Sequence, residues 1–229
     1  MQLTEKMYYY PWRGMGNNCN AFLYAGEKTI LIDPGHVHNE YRENCLDNLL
    51  LEMEGDGFTP EKIDLIICTH GHPDHCEAAA LLQDKYKIRV AMHKDEESHM
   101  KMMAAFFQQM AGSKPAQPRI DLYLQEGELE LGSGEKKDTI VLYHTPGHSP
   151  GSLSIHFPEE RALVTGDAVF HSSIGRTDFP GGSMATLGKS VDKLSRIEDI
   201  DWLLPGHMQM VKGEEAVRRN FMLIKRMFF

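Results

Sequence analysis

The chain has no long uncharged apolar stretch, so none of its 229 residues is expected to lie in a membrane span. Its opening, Met1-Gln2-Leu3-Thr4-Glu5-Lys6, lacks the charged-then-apolar layout of a secretory signal. Cysteine is sparse. Cys19, Cys45, Cys68 and Cys76 show no paired spacing, and Cys68 sits in an apolar run as a buried thiol would. That usage argues against a disulfide framework and suits the reducing cytoplasm. Basic charge is also short: 24 Lys and Arg against 33 Asp and Glu leave a net charge of −9. Nucleic-acid phosphates need clustered cations, so no nucleic-acid partner is expected. There is no internal repeat and no low-complexity segment. The remainder is an ordinary globular mix, long enough to bury a substantial core without staples.

What the chain does have is histidine set beside carboxylate. Thr69-His70-Gly71-His72-Pro73-Asp74-His75 holds three imidazoles and one carboxylate within six residues, directly after the strand-like run Asp64-Leu65-Ile66-Ile67-Cys68. Three later segments share this layout. Ile140-Val141-Leu142 leads through Thr145-Pro146-Gly147 to His148. Ala162-Leu163-Val164 leads through Thr165-Gly166 to Asp167, and Trp202-Leu203-Leu204 through Pro205-Gly206 to His207. Side chains at strand ends sit on the stiffest part of a fold and converge at one sheet edge. The glycine before each of His148, Asp167 and His207 lets the backbone turn sharply. His70 and His72 can reach one ion, while Asp74 and His75 begin the next helix and point toward a second. A lone strand-end histidine is usually structural, and an aspartate at a helix start is usually a cap. Seven N/O donors in matching contexts outweigh that reading. They are too many for one tetrahedral ion and suit two divalent transition-metal ions sharing a carboxylate. Zinc is the first choice, and iron or manganese also suit these donors.

Strands are expected within 3–10 and 20–33, the latter ending in the turn Asp33-Pro34-Gly35. Tyr41, Cys45, Leu49 and Met53, at steps of four, predict a helix over 39–54. Strand 64–69, helix 75–86 and strand 88–92 then suggest a parallel or mixed sheet with helices outside. Residues 120–143 read as hairpins around Gly132-Ser133-Gly134. Strands near 140–144, 152–157 and 161–166 follow, then helices over 184–197 and 214–228. The helix predicted over 95–111 has more apolar surface than one stripe requires: Met100, Met103, Phe107 and Met110 on one face, widened by Met102 and Phe106. Core packing accounts for a stripe, and the surplus suggests the border of an active-site mouth or a subunit contact.

Other residues carry two readings each. Arg176 can pair with Asp178 or meet an anionic part of a substrate. His171, four residues past Asp167, can face the site or stay in an exposed loop. Cys76 reads as packed rather than catalytic. His36 and His38 follow the Asp33 turn, with a solvated loop as the default.

The set THGHPDH, HTPGHSPGS, TGDAVF and LLPGH resembles the motif pattern of the metallo-β-lactamase superfamily over nearly the whole chain. The resemblance implies an α/β fold, the αββα four-layer sandwich, in one domain spanning 1–229 with a metal site at one edge. It implies that His70, His72 and His148 hold one ion, that Asp74, His75 and His207 hold the other, and that Asp167 bridges them. Ser173 to Gly182, with HTPGHSPGS, is similar to the glyoxalase II-like hydrolases. That similarity implies hydrolysis of a hydroxyacyl thioester by a hydroxide shared between the ions, with Asp74 and Asp167 as the catalytic pair. Arg176 and His171 are then the substrate-binding candidates. No added C-terminal glutathione-binding domain is expected, since about twenty residues follow His207. The GRTD stretch also resembles persulfide dioxygenases, which use one iron, and this supplies the alternative. The expected partner is a small-molecule substrate, with a homodimer as one option for assembly.

Overall fold

The computed structural model describes residues 1–112, 114–133 and 136–229. Gly134 of the expected hairpin turn and the side chain of Met110 lie outside the described set. One six-stranded sheet runs in chain order through β1 (Met7–Tyr10), β2 (Ala21–Ala25), β3 (Thr29–Ile32), β4 (Leu65–Ile67), β5 (Arg89–His93) and β6 (Leu122–Leu124). Its first three strands are antiparallel, and the pairings from β3 onward are parallel. The second sheet contains β7 (Gly127–Ser133), β8 (Lys136–His144), β9 (Leu153–Phe157), β10 (Ala162–Gly166), β11 (Trp202–Pro205) and β12 (Val211–Lys212), again in sequence order. It is antiparallel except for the β10–β11 pair.

The inner strands β3, β4, β10 and β11 read as apolar runs because they bury both faces, whereas β6 and β7 are largely exposed. Ile30, Ile32 and Ile67 of the first sheet meet Ile140, Leu142, Ile155, Val164 and Leu204 of the second between the sheets. The alternate residues point outward. Leu31, Ile66, Val90 and Met92 pack under α1 (Cys45–Gly55) and α2 (Pro73–Tyr86) through Leu49, Met53, Ala79 and Leu82. Leu163 and Leu203 pack under α4 (Met184–Leu194) and α5 (Glu214–Phe228) through Leu187, Val191, Val217 and Phe221. Each of these large side chains contributes about 1.5–3 kcal/mol on full burial. The result is the four-layer αββα sandwich, two mixed sheets flanked by helices. No helix among the described residues is long and apolar enough to cross a membrane.

Local chemistry explains where expected and observed boundaries differ. α1 starts at Cys45, not 39, because the Asn39 side chain accepts from the N–H groups of Tyr41 and Glu43 and holds a turn there. α2 starts at Pro73, two residues earlier than expected, since proline suits the first helical position. α4 stops at Leu194, short of 197. β6 is not part of a hairpin. It pairs in parallel with β5, and β7–β8 is the hairpin that opens the second sheet. β12 was not anticipated. α5 has the bounds expected of it, with the pairs Arg218–Glu214 and Arg219–Glu215 at 2.9 Å along its exposed side.

Candidate metal centre

Seven side chains meet at the edge where β4, β8, β10 and β11 end. His70 follows β4, and Asp74 and His75 occupy the first turn of α2. His72 is the residue just before Pro73 and is therefore held extended, at φ −73° and ψ 145°. His148 lies in the turn after β8, Asp167 directly after β10, and His207 two residues after β11.

They form two groups. In the first, Nδ1 of His72 lies 3.1 Å from Nε2 of His70 and 2.8 Å from Nε2 of His148. In the second, Nε2 of His207 lies 3.2 Å from Oδ2 of Asp74 and 3.3 Å from Nε2 of His75. Asp167 stands between them. Its Oδ1 is 3.1 Å from Nε2 of His75, and its Oδ2 is 3.4 Å from His148 and 3.6 Å from His207. Oδ1 of Asp167 is buried without a hydrogen-bond partner. A buried carboxylate oxygen is costly unless something neutralises it. Donor atoms this close suit the 2.0–2.2 Å bonds of a divalent ion to nitrogen and oxygen. The donors therefore fit divalent metal ions.

The neighbours fix which imidazole nitrogen offers its lone pair. His70 Nδ1 donates to Oγ1 of Thr69 at 3.1 Å, which leaves Nε2 for the cluster. His75 Nδ1 donates to Oδ2 of Asp33 at 2.8 Å, and His148 Nδ1 donates to the Arg176 carbonyl at 2.7 Å. Such partners orient metal ligands and raise their basicity. Asp33 also accepts from the N–H and hydroxyl of Thr69, at 2.7 and 2.6 Å. Burial, reinforced by neighbouring imidazoles, holds His70 and His72 well below the usual imidazole range, so both stay neutral. Burial pulls His75 down as well, but Asp167 and Asp33 outweigh it and raise it well above that range. Asp74 is held well below the carboxylate range, because contacts with His207, His75 and His72 outweigh its burial. The second group thus favours positive charge, and a cation there would replace a proton.

The glycines preceding three of these residues act in different ways. Gly147 and Gly166 have φ of 134° and 48°, which side chains rarely adopt. Gly206 has ordinary backbone and is needed for space, since a Cβ there would sit 2.5 Å from Oδ1 of Asp167 and 2.6 Å from His75 Cε1. Asn20 secures the His207 turn by donating its side-chain amide to the carbonyls of Pro205 and Met208.

Arg176 places its carbonyl, not its guanidinium, against the cluster. The guanidinium is exposed, paired with both carboxylate oxygens of Asp178 at 2.9 and 2.8 Å, and lies 4.2 Å over the Phe179 ring. His171 lies outside both groups, with Nδ1 3.4 Å from the Gln209 amide. His36 pairs with Glu77 at 2.7 Å. With His38, Asn17, Phe107 and Asp74, it borders a cavity of about 490 Å³. A larger cavity, about 780 Å³, lies beside α5 and contains none of the seven residues. The apolar surplus of α3 (Glu96–Ala111) divides as follows. Met100 and Met103 are buried, Met102 is exposed, and Phe106 and Phe107 are half-buried 6.1 and 6.5 Å from Phe179, whose ring lies 5.9 Å from His72. All four cysteines are buried and free.

The sequence pattern of the metallo-beta-lactamase superfamily matches residues 14–207. The chain belongs to that superfamily. It is 35% identical over 220 residues to the probable metallo-hydrolase MJ0888 of Methanocaldococcus jannaschii, covering 93% of this chain and 96% of that protein. It is 32% identical over 217 residues to the hydroxyacylglutathione hydrolase GloC of Haemophilus influenzae, covering 92% and 94%. Among solved structures, the B3 metallo-beta-lactamase BLEG-1 superposes with a TM-score of 0.75 at 26% identity, over 95% of this chain and 99% of that one. TTHA1623, solved in a di-iron-bound form, superposes with a TM-score of 0.71 at 26% identity, over 92% and 98%.

Asp33, Thr69, Glu96 and His99 are the residues beside the centre to which the motifs assign no role, although Thr69 opens one of them. Asp33 had a signal, since it follows a strand just as His70 and Asp167 do. Glu96 and His99 lie on a helix remote in sequence, where periodicity marks them only as residues beside an apolar stripe.

Proposed function

We propose that this superfamily member is a metal-dependent hydrolase of acyl bonds, thioesters foremost. In this reading His70, His72 and His148 hold one ion, Asp74, His75 and His207 hold a second, and Asp167 serves both. The observation that carries it is the Asp167 carboxylate, placed between the two donor groups with one buried oxygen unpartnered. Ions bound there would lower the pKa of water and polarise a carbonyl oxygen. Asp74 stands at the cavity edge, where Asn17 donates to its Oδ2 at 2.9 Å, and would orient the attacking water as well as help hold an ion. Phe107 lines that cavity, with Phe106 and Phe179 packed beside it, and these rings would receive the apolar part of an acyl group. The relationship to GloC supports a hydroxyacyl thioester as the first substrate to test.

The decisive experiment measures metal content together with hydroxyacyl-thioester hydrolysis, chelation and metal restoration. Two ions per chain and chelator-sensitive hydrolysis are expected. One iron per chain, with oxygen consumed on a persulfide and no thioester turnover, would replace this reading with a dioxygenase. Turnover of a β-lactam alone would reassign the substrate class. Asp167→Ala is expected to lower turnover at least about 100-fold and to lower metal content, because even residues that merely orient ligands are worth about 10–100-fold. Wild-type turnover from that variant would remove Asp167 from the mechanism.

A further inference from the structure

The first turn of α3 reaches the metal centre with two side chains outside the seven donors. Glu96 is fully buried. Its Oε2 accepts from the Gly71 N–H at 2.7 Å. Its Oε1 accepts from the Ser149 hydroxyl and the Gly151 N–H, both at 2.6 Å. Those donors lie in the two loops that carry His70, His72 and His148. An ionised carboxylate only accepts, so Glu96 can serve all three donors at once.

Three residues on, His99 is 2% exposed, and its Nε2 lies 3.3 Å from Nε2 of His72. The other nitrogen of His72, Nδ1, faces His70 and His148. A neutral imidazole carries one proton. If His72 offers a lone pair at Nδ1, its proton is on Nε2, and His99 Nε2 is positioned to accept it. His99 then keeps its own proton on Nδ1, which is buried without a partner. An apolar side chain would fill this space with no buried orphan, so packing alone does not explain a histidine here.

We propose that Glu96 and His99 are positioning residues for the ion held by His70, His72 and His148. Glu96 holds the two ligand loops at their spacing, and His99 fixes the tautomer of His72. The inference rests on the proposed ligand assignment. In place of the carboxylate or carbonyl that commonly orients a ligand histidine, His72 is oriented by a second imidazole.

The test uses metal-stripped full-length wild type, His99→Leu, His99→Gln and Glu96→Gln. Each is titrated with Zn²⁺ against a chromophoric chelator, and the Co²⁺-loaded forms are examined by absorption. His99→Leu is expected to weaken one binding step by about 10–100-fold and alter the spectrum of one ion, leaving the other step unchanged. His99→Gln, whose amide oxygen can accept near the former Nε2, is expected to recover most of the loss. Glu96→Gln, which turns an N–H₂ toward existing donors, is expected to weaken the same step. If His99→Leu does not fold, His99→Asn against His99→Gln gives the same contrast, because Asn reaches only the former Nδ1. Wild-type binding by His99→Leu, equal loss in the Leu and Gln variants, or equal weakening of both steps overturns the inference while leaving the ligand assignment intact. A wild type that binds no ion overturns both.

Discussion

Asp33 shows how much one buried side chain can organise. Three donors converge on its carboxylate: the Thr69 N–H, the Thr69 hydroxyl and His75 Nδ1. Through Thr69 it also supports His70, and it sits at φ 51°, which Asp tolerates better than most residues. Asp33→Ala would leave all three donors buried and unpaired. We expect a loss of about 3–5 kcal/mol, the usual effect of breaking a buried charged pair. A shift in the denaturant midpoint with unchanged slope would show it. Metal affinity should fall about 10–100-fold as His75 loses its orienting partner. A variant with wild-type stability and metal affinity would mean that Asp33 is incidental to the site. The DPG turn was legible from the sequence as a turn. Its second role was not, because Thr69 and His75 are brought to it only by the parallel pairing of β3 with β4.

At the scale of elements, the loop between β10 and α4 does more than connect. Its backbone lies directly on Asp167, and the Arg176 carbonyl fixes His148. Gly175 makes this possible, since a Cβ there would collide with the Asp167 carbonyl oxygen and stand 3.0 Å from His148 Nδ1. Gly175→Ala is therefore expected to cost about 1–3 kcal/mol through overpacking. For a chain of this size, that lowers Tm by roughly 2–4 °C per kcal/mol. It should also loosen metal binding by displacing the Arg176 carbonyl. Gly55→Ala at the end of α1, where nothing lies within 4 Å, is the control and should be neutral or slightly stabilising. Equal Tm shifts in the two variants would refute the steric argument. α3 is likewise more than a cover. Of its apolar surplus, Met100 and Met103 go to the core, Phe106 and Phe107 stand beside Phe179, and Met102 stays exposed.

At the scale of the whole molecule, the centre joins the two halves. His70, His72, Asp74 and His75 come from the first-sheet half, and His148, Asp167 and His207 from the second. Bound ions would cross-link the halves in the folded state only. We expect Zn²⁺ at a hundred times its dissociation constant to add about 2.7 kcal/mol. Scanning calorimetry with and without chelator measures it, and an unchanged Tm would contradict the ligand set. A second link lies near the start of β8. Asp138 is buried, with its carboxylate accepting from Lys6 at 2.7 Å and from the Glu27 N–H at 2.6 Å. Burial pushes its carboxyl up, but Lys6 and the Glu27 N–H outweigh burial and hold it below the ordinary value of 3.8. A depressed folded-state pKa stabilises above that ordinary value and is lost as pH falls through the folded one. The stability gap between wild type and Asp138→Asn should therefore be about 1–3 kcal/mol at neutral pH and close below about pH 4. A gap independent of pH would show that charge is not the source.

The sequence by itself determined a parallel or mixed sheet with helices outside and the seven candidate donors, because both are local statements; the αββα class followed from the resemblance of the whole motif set to a known family. Apolar runs of strand length mark buried strands, and a turn after each run puts the following side chain at a sheet edge. It also predicted α5 to the residue, through the apolar face of Val217, Phe221, Ile224 and Phe228 at steps of three or four. Only the tertiary structure decided which strands became neighbours, and so that β6 joins the first sheet while β7 opens the second. It alone brought Asp33 under His75, the Arg176 carbonyl under His148, and Glu96 and His99 behind the His70–His72 loop. Those contacts join residues up to 55 positions apart, as between Glu96 and Gly151. Hydrogen-bond partners at such separations are set by how layers stack, and stacking leaves no period or motif in the chain.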